Sequence, residues 1–206
     1  MGQISKEAFK KLTLLFLISR FKDGIYTNYR FQKVLYFAIK DTKLHPFTYQ
    51  HTQHGEYSYN ASKVQDSLVW INRIEETRLD DTECEGSKLT IHQNDVNHHF
   101  VDIFTRISRS LASSIEKSVQ ENGYLKSSDL VRKAEADALL QETPPGGILF
   151  TENLPDMIDV PLDDDECEEI ELSLNDNFNI AMKKCAEVIE TTKFNFGKVS
   201  KIGSIL

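Results

Sequence analysis

The chain has 206 residues, 24 basic against 32 acidic for a formal charge of −8, and 40% of them are hydrophobic. That composition suits one packed core plus an appendage. No apolar run approaches the roughly 20 residues that span a bilayer; the best candidate, Leu12 to Ile18, also lacks the small-residue cleavage site of a signal peptide.

Ser5 to Phe21 places Ala8, Phe9, Leu12, Leu15 and Phe16 on one stripe, which predicts a helix with Ser5 as N-cap. Leu14, Leu17 and Ile18 widen the apolar surface, so burial on more than one side is expected. Phe21 to Ile25 reads as a turn, with Gly24 free to take positive φ. Asn28 to Lys40 is the cleanest helix: Phe31, Val34, Leu35, Ala38 and Ile39 follow the spacing of a core-facing stripe, Thr27 or Asn28 caps it, and Pro46 stops any continuation. Phe47 to Gln53 alternates as a short strand, and His54 to Ser58 reads as a turn. Ser58 to Glu75 returns to helical period through Ala61, Val64, Leu68 and Ile71. Glu76–Leu79 and Lys88–His92 flank a polar tip, which predicts a two-stranded hairpin.

Asn94 to Glu121 reads as one long helix ended by Gly123 at C′. A further helix runs from a cap at Ser127 or Ser128 to Gln141, where Pro144-Pro145-Gly146-Gly147 terminates it. Gly147 to Asn177 reads as a long loop with at most one strand, or as partly disordered chain. Asn179 to Thr192 has the period of a final helix.

Charge is distributed unevenly along this order. Ala134 to Met182 holds 14 acidic residues and no Lys or Arg, whereas Met1 to Lys63 holds 10 basic and 4 acidic residues, net +6. Three roles are open for the acidic segment: a solvated linker, an internal partner for the basic first 63 residues, or a mimic of nucleic-acid charge that engages a basic partner. It is not an EF-hand, since no glycine lies between Gly147 and Gly197 and that loop needs one at its sixth position.

Two short motifs carry a family resemblance. Phe31-Gln32-Lys33-Val34-Leu35-Tyr36-Phe37, followed by Gly55-Glu56-Tyr57-Ser58, resembles Panacea, the SocA-like domain of antitoxins and phage proteins. Phe31 stands for that family's leucine and Glu56 for its proline, a change that loses a fixed φ and adds a charge. The resemblance covers about Leu12 to His92. It implies a helical domain with a small hairpin that acts as the partner of a toxin or as a phage-encoded interaction protein, in one case as an adaptor that hands its toxin to a protease.

Chemistry is weighed residue by residue. His54, Glu56, Tyr57 and Ser58 offer groups for proton transfer, but Gly55 making the turn and Ser58 capping a helix account for the same pattern. His45, His51 and His54, like His92, His98 and His99, match no zinc spacing, and Cys84 stands alone, so no metal is expected. Cys84, Cys167 and Cys185 form no CxxC pair, which favours a reducing cytoplasm over a disulfide scaffold. No nucleophile elbow, P-loop or dinucleotide fingerprint is present, so an enzyme and a cofactor are not expected.

The expected protein is thus α+β and mostly α-helical. A helical domain with a small hairpin spans residues 1–142, an acidic connector 143–177, and a C-terminal helix and tail that docks back 178–206. Its expected role is a non-enzymatic module that binds and neutralises, or hands over, a protein partner. The candidate contact residues, taken as exposed members of the motif pair, are Gln32, Tyr36, His54, Glu56 and Tyr57. The alternative is a winged-helix-like DNA-binding regulator that uses Lys10, Lys11, Arg20, Lys22, Arg30, Lys33, Lys40 and Lys43 with Tyr26, Tyr29 and Tyr36.

Overall fold

Helix α1 (Lys6–Ser19) is the axis around which the chain packs in a computed structural model that describes residues 1–26, 29–79 and 86–176. Ser5 caps it, its Oγ accepting from the Ala8 amide at 3.2 Å. Every residue from Ala8 to Ile18 is buried, so the helix is enclosed on all sides. Two of those residues are Lys10 and Lys11. An ammonium without a partner costs several kcal/mol to bury. Lys10 pairs with Glu7 at 2.9 Å and Glu152 at 2.8 Å; Lys11 pairs with Asp176 at 2.7 Å and donates to the Leu174 carbonyl.

Those partners correct the expectation of a loop beyond Gly147. The acidic segment contributes strand β7 (Ile148–Phe150), strand β8 (Met157–Val160) and helix α8 (Asp164–Leu174), numbered here in chain order. Strand β8 pairs antiparallel with β1 (Gly2–Ser5). Helix α8 begins with a capping box between Asp163 and Glu166, its first turn holds Asp164, Asp165 and Glu166, and it packs on β1 and α1. Carboxylates at a helix N-terminus oppose the positive end of the helix dipole, so an acidic run reads as a helix start as well as a linker. Lys6 with Asp156, and the Ser5 hydroxyl and amide with Glu171, extend the seam. Of the three roles open for this segment, the structure displays that of internal partner to the basic first residues.

The remaining elements are β2 (Ile25–Tyr26), α2 (Tyr29–Ile39), β3 (Tyr49–Thr52), β4 (Gly55–Tyr57), α3 (Tyr59–Trp70), β5 (Ile74–Leu79), β6 (Gly86–Ile91), α4 (Asp95–Ile107), α5 (Arg109–Asn122), α6 (Ser127–Glu135) and α7 (Ala138–Glu142). Together they make an α+β, mostly helical fold. Besides β1–β8 the described residues form two three-stranded antiparallel sheets, ordered β2–β6–β5 and β4–β3–β7. The expected hairpin is β5–β6; its tip at 80–85, the Thr27 or Asn28 cap and the helix expected from Asn179 lie outside the described residues. One core joins Phe9, Phe16, Phe31, Tyr36, Tyr49, Phe100 and Phe104, with Phe104 ring centroids 5.8 and 5.0 Å from those of Phe9 and Phe16.

Several helix boundaries differ from expectation. Helix α3 stops at Trp70 instead of running to Glu75, and Ile74 and Glu75 already belong to β5. The helix from Asn94 is two, broken at Ser108 (φ −146°, ψ 66°). Phe100, Phe104, Leu111, Ile115 and Val119 keep one helical phase through the break, so periodicity carries no mark of it. What divides the two is packing, since α4 lies on α1 and α5 chiefly on α2. The helix expected to Gln141 breaks at Asp137, which caps α7, and α6 has Lys126 at its N-cap position, with Ser127 already inside the helix and no side-chain cap. Gly123 ends α5 with φ −60°. Close approach rather than positive φ requires glycine there, because a Cβ would lie 2.5 Å from the Val119 carbonyl and 2.9 Å from the Phe21 ring.

Candidate functional site

The two motifs meet face to face. On α2, Gln32 clamps the chain entering α3: its Oε1 accepts from the Ser58 amide at 3.0 Å and its Nε2 donates to the Ser62 hydroxyl at 3.0 Å. Its own carbonyl accepts from the Tyr49 hydroxyl at 3.0 Å. Ser58 caps α3, its Oγ accepting from the Ala61 amide at 3.1 Å. The following residue, Lys33, reaches both carboxylate oxygens of Glu56 at 3.2 and 3.1 Å. Both side chains are almost fully enclosed, at 3% and 0% exposure. Burial pushes the Glu56 carboxyl above the usual range, against the pull of the Lys33 ammonium.

His54 to Ser58 is therefore more than a turn. Gly55 to Tyr57 is a strand, paired Thr52–Gly55, His51–Glu56 and Gln50–Tyr57, and the turn itself is Gln53–His54. Gly55 adopts φ +95°, and a Cβ there would stand 3.0 Å from Lys33 Nζ, so the glycine serves both the turn and the ion pair. The Pro144 to Gly147 turn follows α7 and is stitched to β3: the His51 amide donates to Gly147 O at 2.9 Å, Gly146 donates to His51 O at 2.6 Å, and His51 Nδ1 donates to Thr143 O at 2.5 Å.

These elements enclose a groove of about 630 Å³. Gln32, Lys33 and Glu56 are its buried floor; Gln53, His54, Tyr57 and Tyr59 form its rim, with Gly146 on the far side. Tyr59 is 56% exposed, and its ring packs edge-on to Tyr57 at 4.9 Å. The Tyr57 hydroxyl shares a 2.8 Å hydrogen bond with Ser62, which ties the rim to the Gln32 clamp.

The five candidate contact residues thus divide. His54 is exposed and Tyr57 half-buried on the rim, but Gln32, Tyr36 and Glu56 are buried, so they shape the surface instead of presenting it. Tyr36 faces away from the groove: its hydroxyl donates to Asp137 at 2.9 Å, and its ring stacks on Phe150 at 5.8 Å. Lys40 holds the other Asp137 oxygen. Burial pushes the Asp137 carboxyl up, but the hydrogen bonds from Lys40 and Tyr36 and the Lys40 charge outweigh it, and the carboxyl lies below its usual range.

Tyr49, Ser62 and Tyr59 carry no mark in the sequence as site residues, and Lys33 is marked there only as one of the cations of the DNA-binding alternative. Lys33 reads as part of the polar face of α2, and only Glu56, a carboxylate where the resemblance expects proline, hints at its partner. Other basic residues of the early region also turn inward. Arg30 donates to the carbonyls of Gly123 and Leu125 at 2.6 and 2.8 Å, and Arg20 pairs with Glu116 at 3.3 Å. With Lys10, Lys11, Lys33 and Lys40 engaged as well, most of the cations assigned to DNA in the winged-helix alternative have internal partners, while Lys22 and Lys43 are exposed. Among the described residues no three His, Cys, Asp or Glu side chains converge on a metal position, and no helix is long and apolar enough to cross a membrane.

No family model matches the chain, and neither a curated protein nor a solved structure matches it.

Proposed function

We propose that the protein is a non-enzymatic interaction module, of antitoxin-like or phage-accessory type, that binds a protein partner across the groove beside β3 and β4. The mechanism is occlusion or handover, with no bond made or broken. One observation carries this reading: a groove of about 630 Å³ combines an exposed rim of His54, Tyr57 and Tyr59 with a floor locked by the Gln32 clamp and the Lys33–Glu56 pair. Aromatic anchors supply much of the energy of protein interfaces, and rim residues already held by Ser62 and by each other lose little freedom on binding. The resemblance of the two motifs to Panacea supplies the antitoxin or phage context. Gln32 and Glu56 are then positioning residues, and His54, Tyr57 and Tyr59 are contact residues.

The test is co-purification of the full chain from its own cells, as wild type and as His54→Ala/Tyr57→Ala/Tyr59→Ala, with far-UV circular dichroism to show that the fold is retained. A partner held stoichiometrically by wild type and lost from the triple variant is the expected outcome. Retention of every partner by a folded triple variant rejects the groove.

A further inference from the structure

One sheet ends in an open edge. Its order is β2–β6–β5, so β6 is paired on both sides and β5 on one. Strand β5 is six residues long, whereas the strands at the edges of the other two sheets have three or four. It runs in register with β6 from Ile74 to Leu79, without the shift seen between β3 and β7. Glu75, Glu76, Thr77 and Arg78 are all exposed. A row of unpaired backbone N–H and C=O groups is a template for another strand, and proteins blunt it with a bulge, a proline, a short strand or a covering segment. From Ile74 to Arg78 this strand has none of these.

Charge is the remaining device for keeping strands apart, and here it selects one partner. In an antiparallel pair, residues directly opposite each other turn their backbone groups both toward the other strand or both away from it. Two β5 strands related by a twofold axis therefore pair only with one residue opposite its own copy. Centred on Glu75 or Glu76, the pairing sets like carboxylates against each other; centred on Arg78, it sets two guanidinium groups together. Centred on Thr77, it places Glu76 of each copy opposite Arg78 of the other. Opposite charges across a strand pair attract, like charges repel, and threonine facing threonine is favourable. Neither Glu76 nor Arg78 has an ion-pair partner among the described residues of its own chain, so both are available for that contact.

We propose that the β5 edge pairs with the β5 edge of a second copy of this chain, antiparallel and centred on Thr77. The two three-stranded sheets then join into one, ordered β2–β6–β5–β5–β6–β2. The occupant is a second copy because the short run Glu76-Thr77-Arg78 is its own complement: the register that pairs the backbones also neutralises both charges, twice over. Such an interface is isologous and closes at two chains, since it consumes the edge that formed it. The pairing uses no residue of the groove and does not rest on the groove reading.

The experiment is analytical ultracentrifugation of the full chain over a concentration series, for wild type, Glu76→Arg, Arg78→Glu and the exchange Glu76→Arg/Arg78→Glu. Far-UV circular dichroism shows that each variant is folded. Expected are a dimer of wild type, a dimer weaker by about tenfold or more in each single variant, where both cross-strand pairs become like-charged, and recovery in the exchange variant, where both pairs are restored with their signs reversed. A wild type that stays monomeric at every concentration overturns the proposal, and the edge then belongs to a strand of another protein. A dimer that both single variants leave unchanged is built on another surface and overturns it equally. A folded exchange variant that stays as weak as the single variants refutes the register centred on Thr77.

Discussion

Replacing Lys33 by methionine tests how the floor of the groove is held. The pair sits at 3.1 Å with 3% and 0% side-chain exposure. At an effective dielectric of about 20, unit charges at that distance attract by roughly 5 kcal/mol, offset by the cost of removing both from water. Removing one partner leaves the other charge stranded, a change of about 3–5 kcal/mol, a large share of the roughly 5–15 kcal/mol that holds most domains together. With a urea slope of about 2 kcal/mol per molar, the midpoint of Lys33→Met should fall by about 2 M in a circular dichroism titration at pH 7. The double variant Lys33→Met/Glu56→Leu buries no charge and should recover most of the loss.

The pH dependence has a defined sign. Burial raises the Glu56 carboxyl, and a raised carboxyl favours the fold below its unfolded value and disfavours it as pH climbs through the folded one. Without Lys33 that rise is larger. The penalty of Lys33→Met should therefore be greatest near neutrality and shrink on acidification, as Glu56 takes up its proton. A single-variant cost below about 1 kcal/mol, or a double variant as unstable as the two singles summed, refutes the account.

Two further predictions follow from the same neighbourhood. Gln32→Leu leaves the Ser58 amide without its acceptor and should cost about 1–3 kcal/mol in chemical denaturation, whereas a change below half a kcal/mol would show that the clamp is not needed. Asp137→Asn weakens the bonds from Tyr36 and Lys40 and should cost about 1.5–3 kcal/mol at pH 7. The wild-type carboxyl is depressed, so its contribution is present above the ordinary Asp range and is lost as pH falls through the folded value; the two proteins should converge in acid, and a pH-independent gap would contradict this.

Much of the fold was legible locally. The apolar stripes of α1, α2 and α3 and the Ser5 and Ser58 caps follow from periods and short-range hydrogen bonds, and all appear where expected. Gly24 adopts φ +82° in its turn, as its position between Phe21 and Ile25 suggests. The breaks at Ser108 and Asp137 were not legible. Neither contains proline or glycine, and the hydrophobic phase runs on through Ser108. Asp137 is drawn out of the helix to meet Tyr36 and Lys40, about a hundred positions earlier.

The candidate site shows the same division. Exposure of His54 and a rim position for Tyr57 suit residues at a two-residue turn. Gln32, Tyr36 and Glu56 were misread as surface because a polar side chain within a helical or turn motif looks solvated until its partner is known.

By itself the sequence determined that α1, α2 and α3 are amphipathic helices, where two of them start, and that positive charge collects in the first 63 residues and negative charge in residues 134–182. These are properties of neighbours within a turn or two of chain. Only the tertiary structure decided that those charges meet. An α1 buried all round must neutralise Lys10 and Lys11, and Glu152 and Asp176 do so from the acidic segment, which thereby becomes β8 and α8 instead of a linker. Burial turns a distant carboxylate from an optional contact into a required one.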